Sequence, residues 1–297
     1  MYLEYFKLNE KPFSNTPDPK FLFASRQYKE ALARLMYAVE ERELALLTGE
    51  IGSGKTTLSR VLIDSMNDKY LPILIINPRL SPTQFLRLLV KKWNCEPKYF
   101  KNDLVEQLYD LLFAEYENQK TPVIIIDEAQ LIPSKALFDE IRLLTNFQLD
   151  NINLLSVILI GQPELNKRLD KKRYEALRQR ITMRFHLNPL TEEEVDAYIE
   201  HRWSIASAEN PSPFTPEAKY LIAKYSNGIP RLINTIATNC LIQAFAEGAS
   251  EINEQIVNDA AQELKLVNNF EETKSMIYNS GIKREGKNGF VKGTRKS

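Results

Sequence analysis

Cysteine is nearly absent from this chain, with two in 297 residues. Cys95 and Cys240 lie far apart and form no Cys-x-x-Cys pair, which excludes a zinc ribbon or a disulfide framework and fits a reducing compartment. Both read as small core residues. Charge of one sign is lacking as well, because 39 Lys and Arg offset 39 Asp and Glu. No global field recruits nucleic acid or an anionic membrane, and any such contact must be local. Long apolar runs are also missing. The opening MYLEYFKLNEKPF has no basic segment leading into an apolar one, and no later run approaches the roughly 18 residues of a membrane span. The expectation is a cytoplasmic protein without a membrane span. Glycine is sparse, at ten residues, so the clustering of Gly49, Gly52 and Gly54 is hard to ascribe to chance.

What the chain does have is short apolar runs alternating with helical spacing. The runs are Leu44–Leu47, Ile73–Ile76, Val123–Ile126 and Leu154–Ile160, with a weaker one at Met183–Leu187. Between them PTQFLRLLVKKW and NDLVEQLYDLLFAEY carry apolar residues at intervals of three and four. Continuous β-branched strands separated by helices imply a parallel sheet covered on both faces. This α/β core, residues 41–190, follows an N-terminal segment and first helix, 1–40, expected to pack on it. Beyond Pro189 the strands stop. Thr191 with Glu194 reads as a capping box, and Thr215, Pro216 and Gly228 bound a second helix. Helices over Pro230–Glu247 and Asn253–Leu266 complete a small helical domain, 191–266. The remainder, 267–297, carries seven Lys and Arg against three Glu, a net +4, and reads as a disordered basic tail.

The stretch LALLTGEIGSGKTTLSR contains Gly49-Glu50-Ile51-Gly52-Ser53-Gly54-Lys55-Thr56, which satisfies G-x-x-x-x-G-K-[ST] after a buried strand and before a helix. Successive backbone N–H groups in such a turn curl around a phosphate chain, and the helix presents its positive end to the same anion. Lys55 then reaches the β- and γ-phosphates, the Thr56 hydroxyl becomes a ligand of Mg²⁺, and Thr57 suits the next phosphate inward. The run VIIIDEAQ ends in two carboxylates, costly to bury unless a cation or water meets them. Asp127 suits the Mg²⁺ shell and Glu128 the activation of the attacking water; the alternative for either one is an acidic helix cap. Gln162 follows the fourth strand and senses the γ-phosphate if that strand lies between the first and third; otherwise it is a polar turn residue. Between Lys167 and Arg180 stand seven basic residues against Asp170 and Glu175. A solvated helical face is the ordinary reading, but Arg180, with Arg178 next, falls where an arginine is offered to a neighbouring subunit's γ-phosphate. Arg231, one residue after Pro230, opens a helix in the small domain and aims a guanidinium back at the nucleotide. The alternative, a surface arginine, opposes the helix dipole.

Taken together, GEIGSGKTT, IIIDEAQ, GQPEL, LRQRI and GIPR resemble the AAA+ ATPases. The opening YFKLNEKPFSNTPDPKFLFAS, the EALARLMYAV helix and NPRLSPTQFLR narrow the resemblance to the ExeA/GspA type of general secretion and pilus biogenesis, with TniB, TnsC and MuB transposition ATPases as relatives. The resemblance covers roughly residues 1–266. It implies a five-stranded P-loop core in the order 5-1-4-3-2 with a helical lid, and ATP with Mg²⁺ bound between them. By the same resemblance Lys55, Thr56, Asp127, Glu128, Gln162, Arg180 and Arg231 take the phosphate, metal, water-activating, sensor and finger roles. Longer members continue into a membrane helix and a peptidoglycan-binding domain, not found in this sequence, so wall remodelling does not transfer. Two functions follow. The first is an ATP-hydrolysing switch that forms homo-oligomers, rings or filaments, with ATP and acts on a protein client in secretion or pilus assembly. The second is an ATP-dependent regulator of transposition that binds DNA, for which the Lys167–Arg180 cluster and the basic tail are the local charge.

Overall fold

The computed structural model describes residues 1–16, 18–207 and 210–266. The basic tail expected over 267–297 lies outside the described residues. The chain divides into two compact units. One comprises Thr16–Pro189 with Ile229–Arg231; the other, within the described residues, comprises Met1–Asn15, Leu190–Gly228 and the chain from Leu232 onward.

The first unit is built on a five-stranded parallel sheet: β1 Leu44–Gly49, β2 Tyr70–Ile75, β3 Thr121–Ile126, β4 Ser156–Gly161 and β5 Ile181–Leu187. They lie in the order β2-β3-β4-β1-β5, which read from the other edge is the expected 5-1-4-3-2. Strand β4 sits between β1 and β3, in register from Leu44 opposite Val157 to Thr48 opposite Gly161. The unbroken apolar runs are explained by which way the residues face. Leu44, Leu46, Ile124, Ile126, Val157 and Leu159 point into one core cluster, and Ala45, Leu47, Val123, Ile125, Ile158 and Ile160 into another. Ser81 and Gln84 form a capping box at the start of α3 (Pro82–Lys92), and α3 covers the first cluster with α4 (Lys101–Glu117), α5 (Lys135–Leu144) and α6 (Pro163–Leu169). The second cluster is covered by α1 (Arg26–Glu40) and α2 (Lys55–Asp64). Ile76, expected in the second strand, lies beyond it and is exposed. Pro72 is tolerated because β2 is an edge strand with a single neighbour.

The second unit contains α7 (Glu192–Ala206), α8 (Pro216–Ser226), α9 (Pro230–Glu247, apart from its first two residues) and α10 (Glu254–Glu263). Thr191 and Glu194 make the expected reciprocal cap on α7, and the Thr215 hydroxyl accepts from Ala218 N at the start of α8. The first fifteen residues belong to this unit and not to the α/β core, unlike the expectation for 1–40. The buried Arg202 guanidinium donates to Pro12 O at 2.6 Å and Ser14 O at 3.1 Å. Phe6 packs edge-on against Trp203, and Phe13 against Phe214. Aromatic side chains in YFKLNEKPF therefore complete a helical core, which a reading by chain order cannot anticipate. No helix among the described residues is long and apolar enough to cross a membrane.

Candidate active site

Strand β1 delivers the chain to Gly49, and α2 begins at Lys55. The loop between them turns on Gly52 and Gly54, at φ +82° and +98°, in the left-handed region that side chains with a Cβ avoid. At Gly52 there is also no space: a Cβ would lie 2.6 Å from Arg231 Cβ, and Arg231 N donates to Gly52 O at 3.2 Å. Arg231 is thus beside the loop, as its position in GIPR suggests, held there first by its own backbone.

Lys55 is 7% exposed. Its Nζ donates to Gly49 O and Glu50 O, both at 2.7 Å, folding the side chain back over the loop. Burial lowers its pKa, opposed by the nearby Glu128, Asp127 and Glu50 carboxylates; Arg231 adds to the lowering. An ammonium group resting on two carbonyls is the group an anion in the loop would recruit. Ser53 Oγ, enclosed by the same turn, is buried without a hydrogen-bond partner among the described residues. Glu50 and Ile51 are exposed on the loop, and Thr57 is half-buried one position after Thr56.

The Thr56 hydroxyl donates to Asp127 Oδ2 at 3.2 Å. Asp127 is 5% exposed and sits just past β3, its N–H donating to Ile75 O. Burial raises its pKa, while the Glu128 N–H, 2.8 Å from Oδ1, and the Thr56 hydroxyl work the other way. No cluster of three or more His, Cys, Asp or Glu among the described residues could hold an ion by itself. Thr56 and Asp127 together present a hydroxyl and a carboxylate, hard oxygen donors of the kind that could hold Mg²⁺, an ion that keeps several waters of its own.

Glu128 takes the left-handed conformation, φ +53°. Its Oε2 accepts from Gln162 Nε2 at 3.2 Å and from Gln130 Nε2. Gln130 also accepts from Gln162 N through Oε1, at 3.1 Å. This follows from β4 lying beside β3, which sets residue 162 next to residue 128. Gln130 is a residue that the sequence reading quoted in IIIDEAQ without assigning; its signal was a polar side chain two positions after a carboxylate. A second link was also missed. Asn166 Nδ2 donates to the buried Thr48 Oγ1 at 2.8 Å, and Thr48 shares a 3.0 Å hydrogen bond with His186 Nδ1, tying α6 to the ends of β1 and β5.

Arg178 and Arg180 stand apart from this arrangement. Arg178 Nη1 donates to Asp170 O at 3.2 Å. Arg180 is exposed, and its side chain makes no hydrogen bond or ion pair among the described residues. Arg168, counted in the same basic run, is structural: it donates to Ile132 O at 2.5 Å and Tyr174 Oη at 3.1 Å, and lies over the Phe138 ring.

Residues 39–169 match the family model described as AAA domain. General secretion pathway protein A of Aeromonas hydrophila is 40% identical over 270 residues, 89% of this chain and 48% of that protein. The chain therefore spans about half the length of this curated relative. In fold it resembles Drosophila ORC bound to DNA, with TM-score 0.66 and 17% identity over 89% of this chain and 66% of that one. It also resembles the Aeropyrum pernix ORC2 protein, with TM-score 0.61 and 17% identity over 86% and 72%. A glycine turn holding its lysine, a Thr–Asp pair beside it and a five-stranded sheet in this order all accord with these matches. Residues 39–169 thus carry an AAA domain on a sheet of this order, and 89% of this chain is similar to 48% of general secretion pathway protein A.

Proposed function

We propose that the chain binds ATP with Mg²⁺, hydrolyses it to ADP and phosphate, and forms homo-oligomers with ATP to drive or switch a protein assembly in the cytoplasm, of the secretion or pilus kind. The observation that carries this reading is the meeting of Lys55, Thr56, Asp127, Glu128 and Gln162 at the C-terminal ends of three adjacent strands, where open α/β sheets take their ligands.

In this reading the loop amides of Gly49–Thr57 and Lys55 hold the phosphates. Thr56 and Asp127 would hold Mg²⁺, which would supply positive charge to the phosphates. Glu128, kept in place by Gln130 and Gln162, accepts the proton of the attacking water. Arg231, held against Gly52, aims its guanidinium at the nucleotide, and Arg180, with Arg178 as runner-up, is offered to the nucleotide of a neighbouring copy. Steady-state phosphate release, measured with Mg²⁺ or excess EDTA over a range of protein concentrations, tests it. Mg²⁺-dependent turnover that rises per subunit with concentration is expected. Failure to bind ATP or ADP with Mg²⁺ present would remove the whole mechanism. A second reading, an ATP-dependent regulator of transposition that binds DNA, draws on a different feature, the exposed Lys167, Lys171, Lys172, Arg173 and Arg180 of the basic run.

A further inference from the structure

Between α3 and α4 the chain makes an elbow, Trp93–Phe100, that presents two aromatic rings to solvent. Tyr99 is 77% exposed and Phe100 66%. Neither ring is needed to fill a core, and apolar exposure of this kind on adjacent residues points to a contact surface. The rings are in edge contact at 5.1 Å between centroids and 87° between planes.

The elbow is braced. Gln107, from α4, donates to Glu96 O and accepts from Lys98 N, both at 3.0 Å. Arg87, from α3, donates to Tyr99 O at 2.8 Å, and its guanidinium lies over the Tyr99 ring at 5.7 Å. Trp93 Nε1 is anchored to Glu115 Oε1 at 3.0 Å. Gln107 and Arg87 thus fix the backbone of the elbow and Glu115 its Trp93 side chain, while Tyr99 and Phe100 face solvent, so much of the ordering cost of binding is met in advance.

The charge around the rings has one sign in excess. Residues 87–103 carry Arg87, Lys91, Lys92, Lys98 and Lys101 against Glu96 and Asp103. Lys101 is engaged by the buried Glu140 at 2.6 Å. Lys91, Lys92 and Lys98 are exposed and in no ion pair among the described residues. Lys91 stands one helical turn beyond Arg87 on the same face of α3, and Lys98 adjoins Tyr99. In a chain of zero net charge this is a local cationic patch interleaved with exposed rings.

Polyanions with accessible flat faces complement both properties at once. In a duplex the base faces are stacked on one another, leaving base edges, sugars and phosphates accessible; in a single strand the faces are open to aromatic side chains. We propose that the Trp93–Phe100 elbow docks single-stranded nucleic acid, with Tyr99 and Phe100 stacking bases and Lys91, Lys92 and Lys98 meeting phosphates. The surface is independent of the nucleotide loop and does not depend on the hydrolysis reading.

The test uses the full chain with a fluorescein-labelled 30-nucleotide oligo-dT and a labelled duplex of the same length, by anisotropy at two salt concentrations. The wild type should bind oligo-dT more tightly than duplex, with log K falling by about 0.7 per tenfold salt for each phosphate engaged, or about 2 for three lysines. Tyr99→Ala/Phe100→Ala should weaken oligo-dT binding by about tenfold or more, whereas Tyr99→Phe/Phe100→Tyr should keep it. Lys91→Gln/Lys92→Gln/Lys98→Gln should flatten the salt dependence. Unchanged circular dichroism and unchanged affinity for a fluorescent ATP analogue show that each variant is folded and its nucleotide loop intact. Equal oligo-dT affinity of the wild type and the double alanine variant overturns the proposal, as does preference for duplex. Absence of oligonucleotide binding overturns it too and leaves the face to a protein partner.

Discussion

The hydroxyl of Thr56 lies 3.2 Å from Asp127 Oδ2, joining the first turn of the helix after the glycine loop to the end of the neighbouring-but-one strand. In the ligand-free protein this contact keeps a carboxylate in a site that burial disfavours, as its raised pKa shows. Asp127→Asn preserves shape and removes the charge, so the ligand-free variant should gain stability on the order of 1 kcal/mol, or about 2–4 °C in Tm. It should lose the additional thermal shift that Mg²⁺ gives with nucleotide. Differential scanning fluorimetry with and without Mg²⁺ and ADP reads both effects; a Mg²⁺-dependent shift equal to wild type would remove Asp127 from the metal site.

Gly52 and Gly54 make a controlled pair. Both take positive φ, but a Cβ at Gly52 meets Arg231 at 2.6 Å, whereas at Gly54 nothing lies within 4 Å. Gly54→Ala should cost about 1–2 kcal/mol from the backbone alone. Gly52→Ala adds displacement of Arg231 and should destabilise further in urea unfolding. Equal costs would show that the Gly52–Arg231 contact is not tight in solution.

Glu128 and Gln130 separate binding from turnover. Lys55→Ala should abolish tight nucleotide binding, while Glu128→Gln should bind ATP and lose turnover by about 100-fold or more. Gln130→Ala leaves the carboxylate present but loosens its hold, and is expected to lower kcat by about tenfold with little change in KM. A Glu128→Gln variant hydrolysing ATP at the wild-type rate would transfer the role of base to another group.

Arg180 and Arg178 are distinguished by what already occupies them. Arg178 is committed to Asp170 O, whereas Arg180 is exposed. Arg180→Ala should lower turnover by about 10³-fold, with Arg178→Ala weaker. Mixing inactive Arg180→Ala with inactive Glu128→Gln should restore part of the activity, because some interfaces then combine an intact finger with an intact base. No recovery at any ratio would place the arginine's action, if it has one, within its own subunit.

The two thiols should differ sharply. Cys240 is fully buried, and burial pushes its pKa up to about 12, while Cys95 is half-buried. Near pH 8 a disulfide reagent should modify Cys95 in the folded protein and reach Cys240 only on unfolding. Rapid reaction of both under native conditions would show that the helical unit opens readily.

The five strands and the glycine loop were legible in the chain because their signals are local. Buried β-branched runs such as Val123–Ile126 have no polar alternation to confuse, and the Gly49–Thr56 spacing carries its own geometry. Caps such as Thr191 with Glu194 were equally local. Strand order came from resemblance, since no residue states which strand lies beside which. Residues 1–15 were misplaced for the same reason: their aromatic side chains fit either unit by composition, and the match of Arg202 to Pro12 O and Ser14 O spans about 190 positions.

By itself the sequence determined which segments are strand, helix and phosphate-type turn, since backbone torsion and apolar period are set by neighbours within a few positions. Only the tertiary structure decided that Gln130 sits between Glu128 and Gln162, that Arg168 is absorbed by Ile132 O and Phe138, and that Tyr99 and Phe100 face solvent. Hydrogen-bond partners and exposure depend on what distant chain arrives alongside. That is fixed by packing of the whole sheet and its helices, and no short stretch of residues contains it.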